Sequence, residues 1–296
     1  MVMGDTSMNQ KHLAVLGGDS RQIHAAIRLR ELGYTIRTTG FELAEEKDKL
    51  CPCSLAENLD NALAVVLPLP VTGDKKALNA VFTDRNIPLQ TLLEMTPPHT
   101  TVFCGMAPVF FTKMLEAKHC RVADYFERED LTLQNALLTA EGIIGILTEQ
   151  LPCSIFGLSC AITGYGRVAK FTARALRALG ADVSIFARSN IAVTQAKTDY
   201  FHALSLDKLP ENAASFSCII NTVEHRIIGE DTIASSSKDC VFIEVASAPY
   251  GIDFEAVEKN GRTLIKAVSL PGKTAPKTAG AMIAQTIDKM ITEGFS

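Results

Sequence analysis

The stretch AITGYGRVAKFTARALRALGADVSIFARSN, residues 161–190, is the part of the sequence from which the fold can be read. It runs from the apolar end of a strand through two glycines into a helix, and then into a second strand that stops on Arg188. Strand, glycine turn, helix and strand in that order make one βαβ unit of a parallel sheet. Gly164, Gly166 and Ala169 have the G-x-G-x-x-A spacing of a dinucleotide-binding turn. Gly164 permits the tight bend, Gly166 lets the backbone approach a pyrophosphate, and the small Ala169 lets the helix pack close to the strand. The helix-start segment Tyr165, Gly166, Arg167 and Val168, with the positive end of the helix dipole, is then expected to hold the phosphates.

Units of this kind made for NAD usually carry Asp or Glu after the second strand, to accept the ribose hydroxyls. Here the position holds a cation. A guanidinium at Arg188, helped by Ser189 and Asn190, suits the extra phosphate of NADP, so NADP is the expected cofactor. Arg167 also brings positive charge near the adenosine phosphates, and which arginine does more is open at this point.

Outward from this stretch the pattern repeats. LSCAITGYG, ADVSIFAR, SFSCIINTV, CVFIEVAS and RTLIKAV read as strands with helices between them. Upstream, HLAVLGGDSRQIHAAIRLRELGYTIRTTGF (12–41) is a separate βαβ start, followed by strands at ALAVVLPLP, TTVFCG and RVAD. Residues 130–150, DLTLQNALLTAEGIIGILTEQ, read as a long connecting helix with Asp130 as its N-cap. At the end of the chain, Pro276 suits a first helical position, and Ile283, Ile287 and Ile291 recur at four-residue steps. The fold class is therefore α/β, with two Rossmann-like domains whose parallel sheets flank a cleft. The expected substrate domain is 1–129 joined by the helix 276–296, and the expected NADP domain is 130–275.

Composition narrows the class of partner. A net charge of −4, with Lys and Arg scattered along the chain, provides no basic field for nucleic acid. The polar first twelve residues lack the apolar core of a secretory signal, and no later run reads as a membrane span, so a cytoplasmic protein is expected. Most of the eight cysteines lie in apolar strand-like segments, where a thiol packs as a small hydrophobe. CPCS at 51–54 has no second pair or nearby His, so no metal site is expected.

Several motifs taken together carry a family resemblance. AVLGGDSRQ (14–22), YFERED (125–130), TGYGRVA with ARSN, IINTV (219–223), EVASAPYGIDF (244–254) and LPGKTAPKTAG (270–280) resemble the A subunits of dipicolinate synthase. The resemblance spans nearly the whole chain, and its most specific parts are GGDSRQ and the last two motifs. It implies an NADP-dependent oxidoreductase of spore-forming bacteria, at work in the mother cell cytoplasm. The implied reaction oxidises a dihydrodipicolinate, derived from a lysine-pathway intermediate, to pyridine-2,6-dicarboxylate. The implied partner is a flavoprotein-like B subunit, and the implied domain arrangement is that of the formate and glycerate dehydrogenases; the number of copies of this chain in an assembly is open.

A dianionic substrate calls for cations or helix-start amides at two places about one ring apart. Gly17 and Gly18 with Arg21 suit one carboxylate; Lys273, Thr274 and the amides around Gly272, read as a loop entering a helix, suit the other. Asn221, Thr222 and Ser247 follow strands and are expected beside the nicotinamide and ribose. No general base is assigned: His99, His225, Glu127 and Glu244 carry no distinguishing signal. The rival readings are another NADP-dependent 2-hydroxyacid or amino-acid dehydrogenase and a non-catalytic NADP-binding sensor. Against a 2-hydroxyacid dehydrogenase stands the lack of any His after His225.

Overall fold

The computed structural model describes residues 11–294. The chain divides into two compact units, Met1–Gln134 with Ala275–Ser296, and Asn135–Thr274. Each is a parallel sheet with helices on both faces.

In the first unit, β1 (His12–Leu16), β2 (Ile36–Thr39), β3 (Ala62–Val66), β4 (Thr101–Cys104) and β5 (Arg121–Asp124) form a sheet of order β2-β1-β3-β4-β5. Its helices are α1 (Ser20–Glu31), α2 (Leu55–Leu59), α3 (Leu89–Met95), α4 (Val109–Ala117) and the start of α5 (Glu129–Gln150). β1 is buried along its whole length because both faces are covered. Leu13 and Val15 face a core with α1, whereas Ala14 and Leu16 face one with α3 and α4. The chain returns to this unit as α12 (Pro276–Thr292), the last of the helices, which lays Ile283, Ala284 and Ile287 into the core on the α1 side.

In the second unit, β6 (Ser159–Thr163), β7 (Asp182–Ala187), β8 (His202–Ser205), β9 (Cys218–Asn221), β10 (Val241–Glu244) and β11 (Thr263–Lys266) take the order β11-β10-β9-β6-β7-β8. Between them lie α6 (Arg167–Ala178), α7 (Asn190–Thr198), α8 (Leu209–Asn212), α9 (Glu230–Ser235), α10 (Phe254–Lys259) and α11 (Leu270–Thr274). Helix α6 buries Ala169, Thr172, Ala173 and Leu176, the i, i+3, i+4, i+7 stripe that a surface helix turns to its sheet. In both sheets the chain leaves the first-formed strand in one direction and later returns to its other side. These reversals, between β1 and β3 and between β6 and β9, are the places where open α/β sheets bind ligands.

Four details differ from the sequence reading. Strand β8 has no counterpart there: it is a short edge strand with His202 exposed, so its apolar alternation is weak. Helix α5 begins at Glu129, which puts Asp130 in its first turn, where a carboxylate meets the positive helix end. LPGKT is not a loop but the short helix α11, in which the Thr274 hydroxyl donates to the Leu270 carbonyl at 2.9 Å. And α5 is long and apolar enough to cross a membrane by length and composition. Half of its most apolar stretch is buried, with Ile143 and Leu147 in the second unit's core, as in the core helix of a folded domain.

Candidate functional site

The glycine turn after β6 lies at the reversal point of the second sheet. Gly164 has a φ of +82°, and a Cβ there would come 2.8 Å from Val223 Cγ2, so both backbone and space require glycine. Gly166 is the N-cap of α6, and a Cβ on it would meet nothing within 4 Å. As a glycine, the N-cap offers no side-chain oxygen to the first turn of the helix. A pyrophosphate needs that combination: an open backbone surface at the positive end of a twelve-residue helix packed tightly through the fully buried Ala169. The residues present fit the group.

One expected contact is corrected. The Tyr165 side chain turns into the core, stacks edge-on with Phe201 and donates its hydroxyl to Asp199 Oδ2 at 2.6 Å, so only its backbone is available at the turn. Burial and this bond raise the tyrosine well above its usual range, and the same bond lowers Asp199. Arg167 and Val168 occupy the first turn of α6, Arg167 exposed and Val168 half-buried.

Beyond β7, Arg188, Ser189 and Asn190 are all exposed. Ser189 is the N-cap of α7 but makes no capping hydrogen bond, and no partner holds the Arg188 guanidinium among the described residues. Arg188 lines a hollow of about 370 Å³ with Leu206, Asp207, Pro210 and Ile227. Ser205 and Thr232 also line it, and the Ser205 hydroxyl holds the Asp207 carboxyl below its ordinary value.

Between the ends of β6, β9 and β10 lies a buried polar hub. Glu244 is fully buried; Oε1 accepts from Asn221 Nδ2 (2.6 Å) and Ala246 N (3.0 Å), and Oε2 from Gly251 N (2.8 Å) and Ile252 N (2.9 Å). Asn221 in turn accepts from the Thr163 hydroxyl at 2.6 Å and from Val223 N, and donates to Val223 O. Gly251 packs against this amide: a Cβ there would overlap Asn221 Nδ2 and lie 2.6 Å from Val223 O. IINTV and EVASAPYGIDF, far apart in sequence, are therefore two halves of one scaffold. The expected contact of the Asn221 side chain with a nicotinamide is corrected: it is fully buried and saturated by its own fold. Four donors on Glu244 also remove it as a free base. Thr222 is half-buried and donates to the Thr163 carbonyl at 2.7 Å, whereas Ser247 is exposed. The signal that could have found this hub is the acid closing the otherwise apolar, fully buried strand VFIE.

The first unit's glycine turn is built differently. The Gly17 amide donates to Thr39 O at 2.9 Å and the Gly18 amide to Asn79 O at 2.6 Å. Asp19 caps α1, accepting from Arg21 N at 2.9 Å, and its carboxylate chelates the Arg21 side chain, with Nη2 to Oδ2 at 2.7 Å. Arg21 is buried, and its Nη2 also reaches the Leu69 carbonyl at 2.5 Å. The anion cradle expected from Gly18 and Arg21 is thus corrected: both amides are bonded internally, and the chain's own carboxylate neutralises the guanidinium. Lys273 and Thr274, in the second unit, are both exposed at the end of α11, and no partner holds Lys273 among the described residues. That short helix is seated by Gly142 of α5, where a Cβ would lie 2.9 Å from Leu270 Cβ. His99 and His225 are both exposed, and no group of three metal-ligating side chains occurs among the described residues.

Comparison with known proteins gives each unit a likeness of its own. Residues 12–126 match the family model of the N-terminal domain of the dipicolinate synthase A subunit. Residues 138–275 match that of the S-adenosyl-L-homocysteine hydrolase NAD-binding domain, which makes the second unit a pyridine-nucleotide-binding domain. The dipicolinate synthase A subunit of Bacillus subtilis (strain 168) is 30% identical over 287 residues, 95% of this chain and 96% of that protein. The crystal structure of the Bacillus halodurans A subunit superposes with a TM-score of 0.84 at 26% identity, covering 95% of this chain and 97% of that one. For the crystal structure of the Bacillus subtilis protein the TM-score is 0.82 at 28% identity, with 98% of both chains covered. With nearly its whole length aligned and both sheets shared, the chain belongs to the family of dipicolinate synthase A subunits.

Proposed function

We propose that this chain is an NADP-dependent oxidoreductase that converts a dihydrodipicolinate to pyridine-2,6-dicarboxylate in the cytoplasm of a sporulating cell, in company with a flavoprotein-like B subunit. The observation that carries the cofactor reading is Arg188, exposed next to the α7 start, where Ser189 makes no capping hydrogen bond, and without a side-chain partner among the described residues. A guanidinium held there is matched by the 2′-phosphate of NADP and has no role toward the ribose hydroxyls of NAD. Ser189 and Asn190 add donors to the same phosphate, and Arg167 stands in the first turn of the pyrophosphate helix.

When bound, the nicotinamide supplies the hydride acceptor. The protein's part is to orient. Thr222 and Ser247, carried on loops at the carboxyl edge, flank the nicotinamide and ribose, while the Asn221–Glu244 hub beneath them holds both loops in place. Lys273 and Thr274 receive a substrate carboxylate. The ring becomes aromatic by losing a hydride to the nicotinamide and one proton to solvent water, and the aromatic product makes this favourable without a strong base.

The test is hydride transfer from enzymatically generated dihydrodipicolinate to NADP and to NAD, followed by nicotinamide absorbance, with the B subunit present in one series and omitted in the other. NADP is expected to be the better acceptor, and Arg188→Ala is expected to lose about tenfold or more of that preference while NAD turnover changes little. A preference for NAD in the unaltered protein, or one unmoved by Arg188→Ala, overturns the NADP reading. Tight NADP binding without turnover favours a sensor.

A further inference from the structure

We propose that the first unit carries a separate site for a small α-amino acid at the carboxyl end of β2, built around Glu42 and Arg85. A cavity of about 130 Å³ opens beside Thr39 and Gly40, at the edge of the sheet where α/β proteins receive ligands. Glu42 and Arg85 both line it. Oε2 of Glu42 is enclosed and accepts no hydrogen bond among the described residues. A carboxylate oxygen shut away from solvent and unpaired costs free energy, so its persistence points to a donor that arrives from outside the chain.

The rest of the lining says which donor. Arg85 is exposed at the mouth and its guanidinium has no partner among the described residues, and Asn86 adds an amide. An acceptor for an ammonium and a fork for a carboxylate in one cavity define a zwitterion. Leu55, Ile87 and Pro88 supply apolar wall for a small side chain. Size limits the ligand further. A cavity of ~150 Å³ holds benzene, so this one takes roughly six non-hydrogen atoms, the number in alanine. The site belongs to the first unit and the nucleotide-binding turn to the second, so it does not depend on the reading of the cofactor.

Calorimetric titration of the full-length protein with L-alanine, propionate and ethylamine tests this. L-Alanine is expected to bind saturably, propionate and ethylamine at least about tenfold more weakly, since each lacks one charged end. Glu42→Gln and Arg85→Gln are each expected to weaken L-alanine about tenfold, while their circular dichroism and NADP binding stay as in the unaltered chain. No saturable binding of L-alanine, equal binding of ethylamine, or binding that both variants leave undiminished overturns the proposal.

Discussion

A single carboxylate shows how the second unit holds its loops. Glu244 gathers four donors with no cation among them: one side-chain amide and three backbone N–H groups from the loop after β10. Each donor would be unpaired in the interior without it, and a buried unpaired donor costs more than the bond itself contributes. Glu244→Gln keeps the size but turns an NH₂ toward at least one pair of these donors. Loss of about 2–4 kcal/mol in urea unfolding is therefore expected, against about 0.5 kcal/mol or less for an exposed acid such as Glu224 changed to Gln. A similar small loss for both variants would show that the hub does not hold the loops. Asn221 and Gly251 serve the same carboxylate, one as the amide that joins Thr163 to Glu244 and the other as the backbone that has to lie against it.

Among the elements, the returning helix α12 is pinned along one side. Arg128 pairs with Glu293 at 2.9 Å, Asp130 with Lys289 at 3.2 Å, and Tyr34 donates to Asp288 Oδ1 at 2.7 Å. YFERED is thus an anchoring motif: its Tyr125 is buried and donates to Leu67 O at 2.9 Å, and its charged end reaches the helix. The exposed ion pairs contribute little singly. Tyr34 offers a readable signal, because burial and then the Asp288 bond raise it from 10.0 to about 12. The protonated form is the one the fold prefers, so its stabilisation is complete below pH ~10 and is lost as pH rises toward ~12. Thermal melts across that interval should show the unaltered protein losing more stability than Tyr34→Phe; parallel losses would show that the bond is not linked to folding.

For the whole molecule, the consequence is that one unit is closed by a helix drawn from the far end of the chain. Gly280 makes the closure possible: a Cβ there would overlap the Arg21 carbonyl and lie 2.6 Å from His24 Cβ and 2.8 Å from Ala25 N. Gly280→Val should force α12 off α1 and uncover Ile283, Ala284 and Ile287, at a cost of about 1–3 kcal/mol or more. Hydrogen exchange should then accelerate in β1, β3 and β4 while β6, β9 and β10 stay protected, because the cores of the two sheets are separate clusters. Equal loss in both would mean that the units unfold as one.

Much of this is legible in the order of residues alone. Period-two apolar runs, glycine turns and amphipathic helices depend on near neighbours, so the βαβ series, the Gly164–Gly166 turn, the cation after β7 and the family can all be read from the sequence. Edge strand β8 escapes because few of its side chains need burial. What local pattern does not contain is which polar groups are already satisfied. Gly17–Gly18 and Gly164–Gly166 both look like anion cradles in sequence; in three dimensions Thr39, Asn79 and Asp19 close the first, and no side chain caps the second. Likewise Asn221 reads as a site residue until Glu244 and Gly251 arrive beside it. Near-neighbour pattern is enough to establish the architecture and the nucleotide turn. Which of the marked groups remain free to bind is settled only on folding, because their hydrogen-bond partners come from strands and loops distant in the chain.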